Sequence, residues 1–275
     1  MPDQKKAAIV YGAYINPDAD WRSLIAAQLN DLSNFGVLNQ CDLYVVVTNP
    51  TRAEGVRSLF NDLRLPTKLL EIYADNRFEY PAISRVWNLA TNSAHYEYVG
   101  YLHSKGMSYA KSERNRLELI LTRHTFSSWA RVFQLFENVP SIEKAGLFPA
   151  HDGDRTGWIW FNFWWARASY IRNLPKPLVS PDRFYYEGWL SLQSQTPNST
   201  YSLLSNDFAT YAWDETGAHF RDLRWKLRYG YFYNVRKLVQ YLRDTGAAGK
   251  ASTQAPELHP DQRQSHSMPQ ATSDH

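Results

Sequence analysis

Tyr98-Val99-Gly100-Tyr101-Leu102-His103-Ser104-Lys105-Gly106 changes character halfway along. Val99, Tyr101 and Leu102 suit a buried or half-buried strand, and a polar break follows at once. His, Ser, Lys and Gly then stand together at the strand's carboxyl end, which in an open α/β sheet is where ligands bind. A Lys beside a Gly suits a phosphate, because the Lys supplies a cation and the Gly lets backbone come close. The plainer alternative is a surface turn with a polar tip.

Upstream, strands and helices alternate. Ala7–Tyr11 reads as a first strand and Gly12–Asn16 as the loop after it. Pro17-Asp18-Ala19-Asp20 marks a helix start, and Trp21, Leu24, Ile25, Leu29 and Leu32 follow at helical spacing. Asp42–Thr48 is a continuous apolar run of the parallel, doubly buried kind. Thr51–Leu63 suits a second helix and Lys68–Tyr73 a third strand. The order β-α-β-α-β predicts a doubly wound α/β domain with a mostly parallel central sheet. Asp75–Pro81 is a polar loop whose Pro81 suits a first helical turn. Ile83, Val86, Trp87 and Ala90 give the next helix its apolar face.

Downstream, Glu113–Phe136 is long and amphipathic, enough for one or two helices. Gly146–Ala150 reads as a short inner strand. The polar loop His151-Asp152-Gly153-Asp154-Arg155 gives way to the aromatic run from Trp158 to Trp165. Ala168–Leu174 is a short helix stopped by Pro175 and Pro177. In Asp182–Leu190 the carboxylate of Glu187 sits among aromatic residues. Residues 221–244 hold seven Lys or Arg against two Asp, interleaved with aromatics. They read as a basic helical arm that packs on the domain or touches anionic lipid headgroups. From Thr245 large apolar residues nearly vanish, the composition of a disordered tail. The expected organisation is therefore a domain over 1–220, an arm over 221–244 and a tail over 245–275.

The 275 residues suffice for one sizeable domain or two small ones, and 44% apolar with 21% charged content is that of a globular protein. A net charge of +3 is too small to argue for nucleic acid as a partner. The single cysteine, Cys41, excludes an intrachain disulfide and a cysteine zinc site and fits a reducing compartment. Met1–Lys6 lacks the apolar core of a signal peptide, and no run of about 18 apolar residues suggests a membrane span. The expected location is cytoplasmic, with peripheral contact at the inner face of the plasma membrane through 221–244. The 15% aromatic content, with 10 Trp and 18 Tyr, suits surfaces that stack sugars as well as an aromatic core.

With these pieces in place the chain resembles GT-A-type nucleotide-sugar glycosyltransferases. More narrowly, it resembles bacterial and large-virus transferases with an H-S/T-K-G motif, some related to rhamnan or capsule polysaccharide synthesis. The matching pieces are Phe78-Glu79-Tyr80-Pro81-Ala82, Tyr101–Gly106, Asn162–Arg167, and Arg183 with Glu187 and Trp189. The resemblance implies a nucleotide-sugar donor in the crevice at the carboxyl ends of the first strands. It also implies a glycan or lipid-linked glycan acceptor near the aromatic segment. Many such enzymes carry a D-x-D motif after the fourth strand that holds Mn²⁺ or Mg²⁺, whereas this chain has His103-Ser104-Lys105. Either Lys105 replaces the metal against the leaving diphosphate, or His103 ligates Mn²⁺ or Mg²⁺ with help from Asp152 or Asp154.

Glu187 is the candidate general base of an inverting transfer, which needs one carboxylate to take the acceptor hydroxyl's proton. Its aromatic neighbours would raise its pKa by desolvation. Lys105 and His103 join it as catalytic candidates. Tyr11, Gly12, Tyr14, Asn76, Arg77, Glu79, Ser104 and Gly106 are candidate donor contacts. Asn162, Trp164, Trp165 and Arg183 are candidate acceptor contacts, with Arg167 a further sugar or phosphate contact. Trp164 and Trp165 point to opposite faces if they lie on a strand, so one of them is expected at a cleft. Two rival readings keep other classes open: a non-catalytic carbohydrate-binding or scaffold protein, and a glycoside hydrolase built on Asp182 with Glu187.

Overall fold

The alternation of apolar and helical segments produces a seven-stranded sheet in the computed structural model. The structure describes residues 4–49, 53–93, 95–104, 114, 116–150, 156–193 and 199–203. The chain divides into two units, 1–214 and 215–275, and every described residue belongs to the first. The expected arm at 221–244 and tail at 245–275 lie outside the described residues.

The strands are β1 (Ala7–Tyr14), β2 (Cys41–Thr48), β3 (Thr67–Tyr73), β4 (Tyr98–His103), β5 (Lys144–Gly146), β6 (Trp164–Arg167) and β7 (Thr200–Ser202). The helices are α1 (Trp21–Asn34), α2 (Ala53–Leu63), α3 (Tyr80–Asn92), α4 (Arg116–Phe126), α5 (Trp129–Asn138), α6 (Ala168–Asn173) and α7 (Phe184–Gly188). The sheet order is β3-β2-β1-β4-β6-β5-β7, and β3, β2, β1 and β4 run parallel. β6 reverses against β4 and β5, and β7 is parallel to β5. The expected mostly parallel α/β sheet is present.

The chain winds outward from β1 through β2 to β3 and then returns to β4 on the other side of β1. Parallel crossovers are right-handed, so this reversal moves the connecting helix to the opposite face. α1 and α2 accordingly pack with Ile9, Tyr11 and Ala13 on one face, joined by α4 and α5. α3 packs with Ala8 and Val10 on the other, joined by α6 and α7. Both faces being covered explains why β1, β2 and β4 read as continuous apolar runs. Asp20 caps α1 by accepting from the Ser23 amide at 3.3 Å, and Gly36 ends the following turn at φ +72°.

Two boundaries differ from the sequence expectation. β1 continues through Gly12 to Tyr14, because Gly12, Ala13 and Tyr14 pair with Val46, Val47 and Thr48 of β2. The inner strand is Lys144–Gly146 rather than Gly146–Ala150; Pro149 makes only an isolated bridge to Ile159. Of the one or two helices expected over 113–136, the described residues form two, α4 and α5, both packed on the α1 face.

Candidate functional site

A cavity of about 280 Å³ opens where the winding reverses, at the carboxyl ends of β1 and β4. This is the switch point at which an open α/β sheet leaves a crevice. Gly12, Ala13 and Tyr14 of β1, Val46 and Thr48 of β2, and Tyr101, His103 and Ser104 at the end of β4 form its floor. Asn76, Phe78, Glu79 and Ala82 close it from the start of α3, and Arg183 and Glu187 from the α7 side. Two carboxylates and one imidazole therefore face a single space.

Glu79 is fixed from behind. Its Oε2 accepts from the Tyr101 hydroxyl at 2.8 Å and from Asn162 Nδ2 at 2.6 Å. Its other oxygen has no partner among the described residues. Asn162 is buried, donates also to the Tyr186 carbonyl at 3.2 Å, and accepts from Trp164 Nε1 at 2.6 Å. Burial, then the charge and hydrogen bond of Glu79, then the charge of Glu187 push the Tyr101 phenol well above its ordinary pKa. The phenol therefore stays protonated and serves as a donor to Glu79.

His103 is held in one tautomer. Its Nε2 lies 3.0 Å from the Phe161 carbonyl, which only accepts, so Nε2 carries a proton. In the neutral ring Nδ1 is then the acceptor, and it has no partner among the described residues. The ring packs on Phe163 with centroids 5.2 Å apart. The carbonyl that sets the tautomer comes from a strained turn: Phe161 and Asn162 have φ of +69° and +58°. Asn tolerates this region, whereas a Phe there costs roughly 1–3 kcal/mol. The His103 and Asn162 bonds hold the turn in place.

The donor candidates separate on inspection. Gly12, Tyr14, Asn76, Glu79 and Ser104 line the cavity. Tyr11 does not: it lies on the opposite face of β1, buried, and donates to Gln28 Oε1 at 2.7 Å. Arg77 pairs with Asp75 at 2.6 Å on the exposed side of its loop and is not in the lining. The Ser104 hydroxyl donates to the Tyr14 carbonyl at 3.0 Å and accepts from the Tyr14 amide at 2.9 Å, pinning the end of β4 to that of β1. Lys105 and Gly106 lie outside the described residues.

Among the acceptor candidates only Arg183 lines the cavity, its guanidinium also lying 4.8 Å from the Phe184 ring centroid. Trp164 and Trp165 do point to opposite faces, but both faces are covered and both rings are fully buried. Trp165 donates to the Thr125 carbonyl at 3.0 Å. Asn162 sits behind Glu79 as its support. Arg167 is spent on the end of α5, where it donates to the carbonyls of Ile142, Phe136 and Val139. Asp152 and Asp154 lie outside the described residues. Among the described residues no group of three or more His, Cys, Asp or Glu is placed to hold a metal ion.

Sequence reading passed over Phe78. The Asn76 side chain accepts from its amide at 2.9 Å and its φ is +52°, so the turn holds the ring at the cavity mouth, where it is 40% exposed. An Asn two residues ahead was the available signal. Tyr101 belongs to the strand and to the Tyr101–Gly106 motif, but its bond to Glu79 has no local signal, because that partner lies 22 positions earlier in the chain.

A family model described as a domain of unknown function, DUF8361, matches residues 10–188. No curated protein matches the chain. Among solved structures it is similar to a candidate nucleotide-diphospho-sugar transferase from Desulfovibrio desulfuricans. That match has 10% identity and a TM-score of 0.38 over 68% of this chain and 72% of that one. It is similar to TarS residues 1–349 from S. aureus at 9% identity and a TM-score of 0.37, over 66% of this chain and 55% of that one. It is similar to the mannosyltransferase Ktr4p of S. cerevisiae at 10% identity and a TM-score of 0.26, over 67% and 60%.

Proposed function

For this chain, which belongs to the DUF8361 family, we propose a glycosyltransferase that moves a sugar from a nucleotide-sugar donor to a glycan or lipid-linked glycan. One observation carries the reading: Glu79, Glu187 and His103 converge on one cavity at the switch point of the sheet, where His103 and Ser104 open the sequence motif His103-Ser104-Lys105-Gly106. The resemblance of that motif, and of Phe78–Ala82 and Arg183 with Glu187, to GT-A-type transferases supports it.

In this reading Glu187 is the base. The acceptor oxygen attacks the anomeric carbon, the bond from that carbon to the diphosphate oxygen breaks, and its electron pair leaves on the diphosphate. The acceptor's proton passes to Glu187, and the configuration inverts. Glu79, already loaded with two donors on one oxygen, presents the other to sugar hydroxyls. Phe78 offers a ring face beside it. Lys105 meets the growing negative charge of the leaving diphosphate as a fixed cation would. The alternative is a divalent ion held by His103 with Asp152 or Asp154, which would supply the same neutralisation; the described residues alone form no such group.

Thermal unfolding against UDP-, GDP-, dTDP- and CMP-sugars, with Mn²⁺ and with EDTA, tests the reading. One nucleotide class is expected to raise the melting point by mass action. Glu187→Gln should keep that shift while transfer falls by about 10²–10⁴-fold. No shift with any donor, together with no nucleotide release by the native chain, would overturn it in favour of a non-catalytic protein.

A further inference from the structure

Four of the six large hydrophobic residues that the described surface exposes belong to the cavity rim or to the segment beside it. Phe78 is on the rim. Leu178 and Val179 lie between α6 and α7 and Phe184 opens α7, exposed at 66%, 65% and 51%. Isolated exposed leucines need no explanation, but several large apolar side chains within seven residues do.

The segment is not loose. Pro175, Pro177 and Pro181 stiffen it. The Tyr185 hydroxyl accepts from the Leu178 amide at 3.2 Å, and the Tyr186 hydroxyl accepts from the Ser180 amide at 2.8 Å. The Asp182 carboxylate accepts from the Phe184 amide at 2.9 Å, so the one acidic group of the segment is engaged in its turn. Leu178 and Val179 are therefore presented to solvent by a loop that α7 holds in shape. Ordering is already complete before any partner arrives, which lowers the cost of binding.

The charges of residues 172–184 are mostly positive. Arg172, Lys176 and Arg183 are exposed, with Asp182 the only carboxylate among them. The Lys176 ammonium lies 5.9 Å from the Trp87 ring centroid and the Arg183 guanidinium 4.8 Å from that of Phe184, so both cations sit against aromatic rings. An apolar tip flanked in sequence by three exposed cations and one carboxylate matches the boundary between acyl chains and anionic headgroups. Among the described residues no helix is long and apolar enough to cross a membrane; contact at this loop would be made from the surface.

We propose that the 176–184 loop docks the protein on a bilayer bearing anionic lipids, with Leu178 and Val179 entering the headgroup–acyl boundary. Arg183 belongs to both the loop and the cavity lining, so docking turns the cavity mouth toward the lipid. The inference does not depend on glycosyl transfer, since it needs only the loop.

The test uses the full chain. Cys41 is fully buried, so Val179→Cys provides one reactive thiol for an environment-sensitive fluorophore. Vesicles of phosphatidylcholine with phosphatidylglycerol should shift its emission to the blue, and pure phosphatidylcholine should do so much less. In co-sedimentation, Leu178→Ser with Val179→Ser should weaken binding to the anionic vesicles by about tenfold or more. Its melting point should stay near that of the native chain, because both side chains are exposed. An unshifted label, or a double variant that is folded and binds within twofold of the native chain, would overturn the proposal even if residues 221–244 bind lipid by themselves.

Discussion

Lys144 should make the stability of this protein rise with pH, and by a measurable amount. It lies on β5, is fully buried, and donates to the Tyr170 hydroxyl and to the Leu190 carbonyl, each at 3.0 Å. Burial drives its pKa down from 10.5 to about 7, against a smaller upward pull from Glu143. The folded chain therefore gives up this proton near neutrality, whereas the unfolded chain keeps it to about pH 10.5. Between those values the unfolded state binds more protons, so stability rises with pH; below about pH 7 the contribution levels off at its least favourable. Each pH unit inside the window is worth up to about 1.4 kcal/mol, so from pH 6 to pH 9 the gain is about 2–3 kcal/mol. Lys144→Met removes this titration. The Leu190 carbonyl keeps the Tyr170 hydroxyl as a donor at 2.5 Å, so the variant leaves that acceptor satisfied. Urea unfolding followed by tryptophan fluorescence at pH 6, 7.5 and 9 compares the two chains, and the difference cancels every other titrating group. The variant should be the more stable at pH 6, with its advantage shrinking by about 2–3 kcal/mol at pH 9. Parallel pH dependences would refute the reasoning. They would mean that the folded chain keeps Lys144 charged or exposes it to water.

Two further substitutions probe the support of the site. Asn162→Ala removes a donor from Glu79 and leaves Trp164 Nε1 buried without its acceptor. The expected cost is about 2–4 kcal/mol of stability in urea, with a smaller melting-point shift on donor binding than in the native chain. A variant that loses stability but keeps the full shift would show that Asn162 supports the core and not the ligand. Gly100→Ala places a Cβ 2.8–3.0 Å from three atoms of the Trp165 ring. That ring is pinned by its bond to the Thr125 carbonyl and has no free direction in which to move. The melting point should fall by the equivalent of about 1–3 kcal/mol, and an unchanged value would mean that β4 and β6 separate without cost.

The parallel half of the sheet was legible because its signals are local. Continuous apolar runs, helical spacing and Pro81 at a helix start each report on a few neighbouring residues, and the topology follows from their order. The strand ends were less legible: whether Gly12 ends β1 or continues it depends on its pairing with Val46, across 34 positions. The site shows the same division. His103, Glu79 and Glu187 were recognisable as chemistry-bearing residues, and the fold does place them on one cavity. Tyr11 misled because β1 is covered on both faces, so a residue next to a cavity-lining glycine belongs to the opposite layer. Trp164 and Trp165 misled for a related reason. Alternation along a strand tells which faces two residues take, but not whether either face is open.

Gly12 shows how packing and chemistry share one position. A glycine at the end of the first strand invites reading as a place where a phosphate approaches the backbone. In the fold, a Cβ at Gly12 would lie 3.0 Å from the Tyr101 hydroxyl and 3.1 Å from the Ala82 side chain. Its missing side chain is what lets that hydroxyl pass across the mouth of β1 to Glu79 and lets α3 approach the sheet. Glu79 in turn is held by Asn162, whose left-handed backbone belongs to the same turn that offers the Phe161 carbonyl to His103. The carboxylate and the imidazole are thus set by one strained turn and one strand, from opposite sides of the cavity floor. The free oxygen of Glu79 and Nδ1 of His103 keep their places before any ligand enters, and preorganised polar groups of this kind are the ones that act without rearranging.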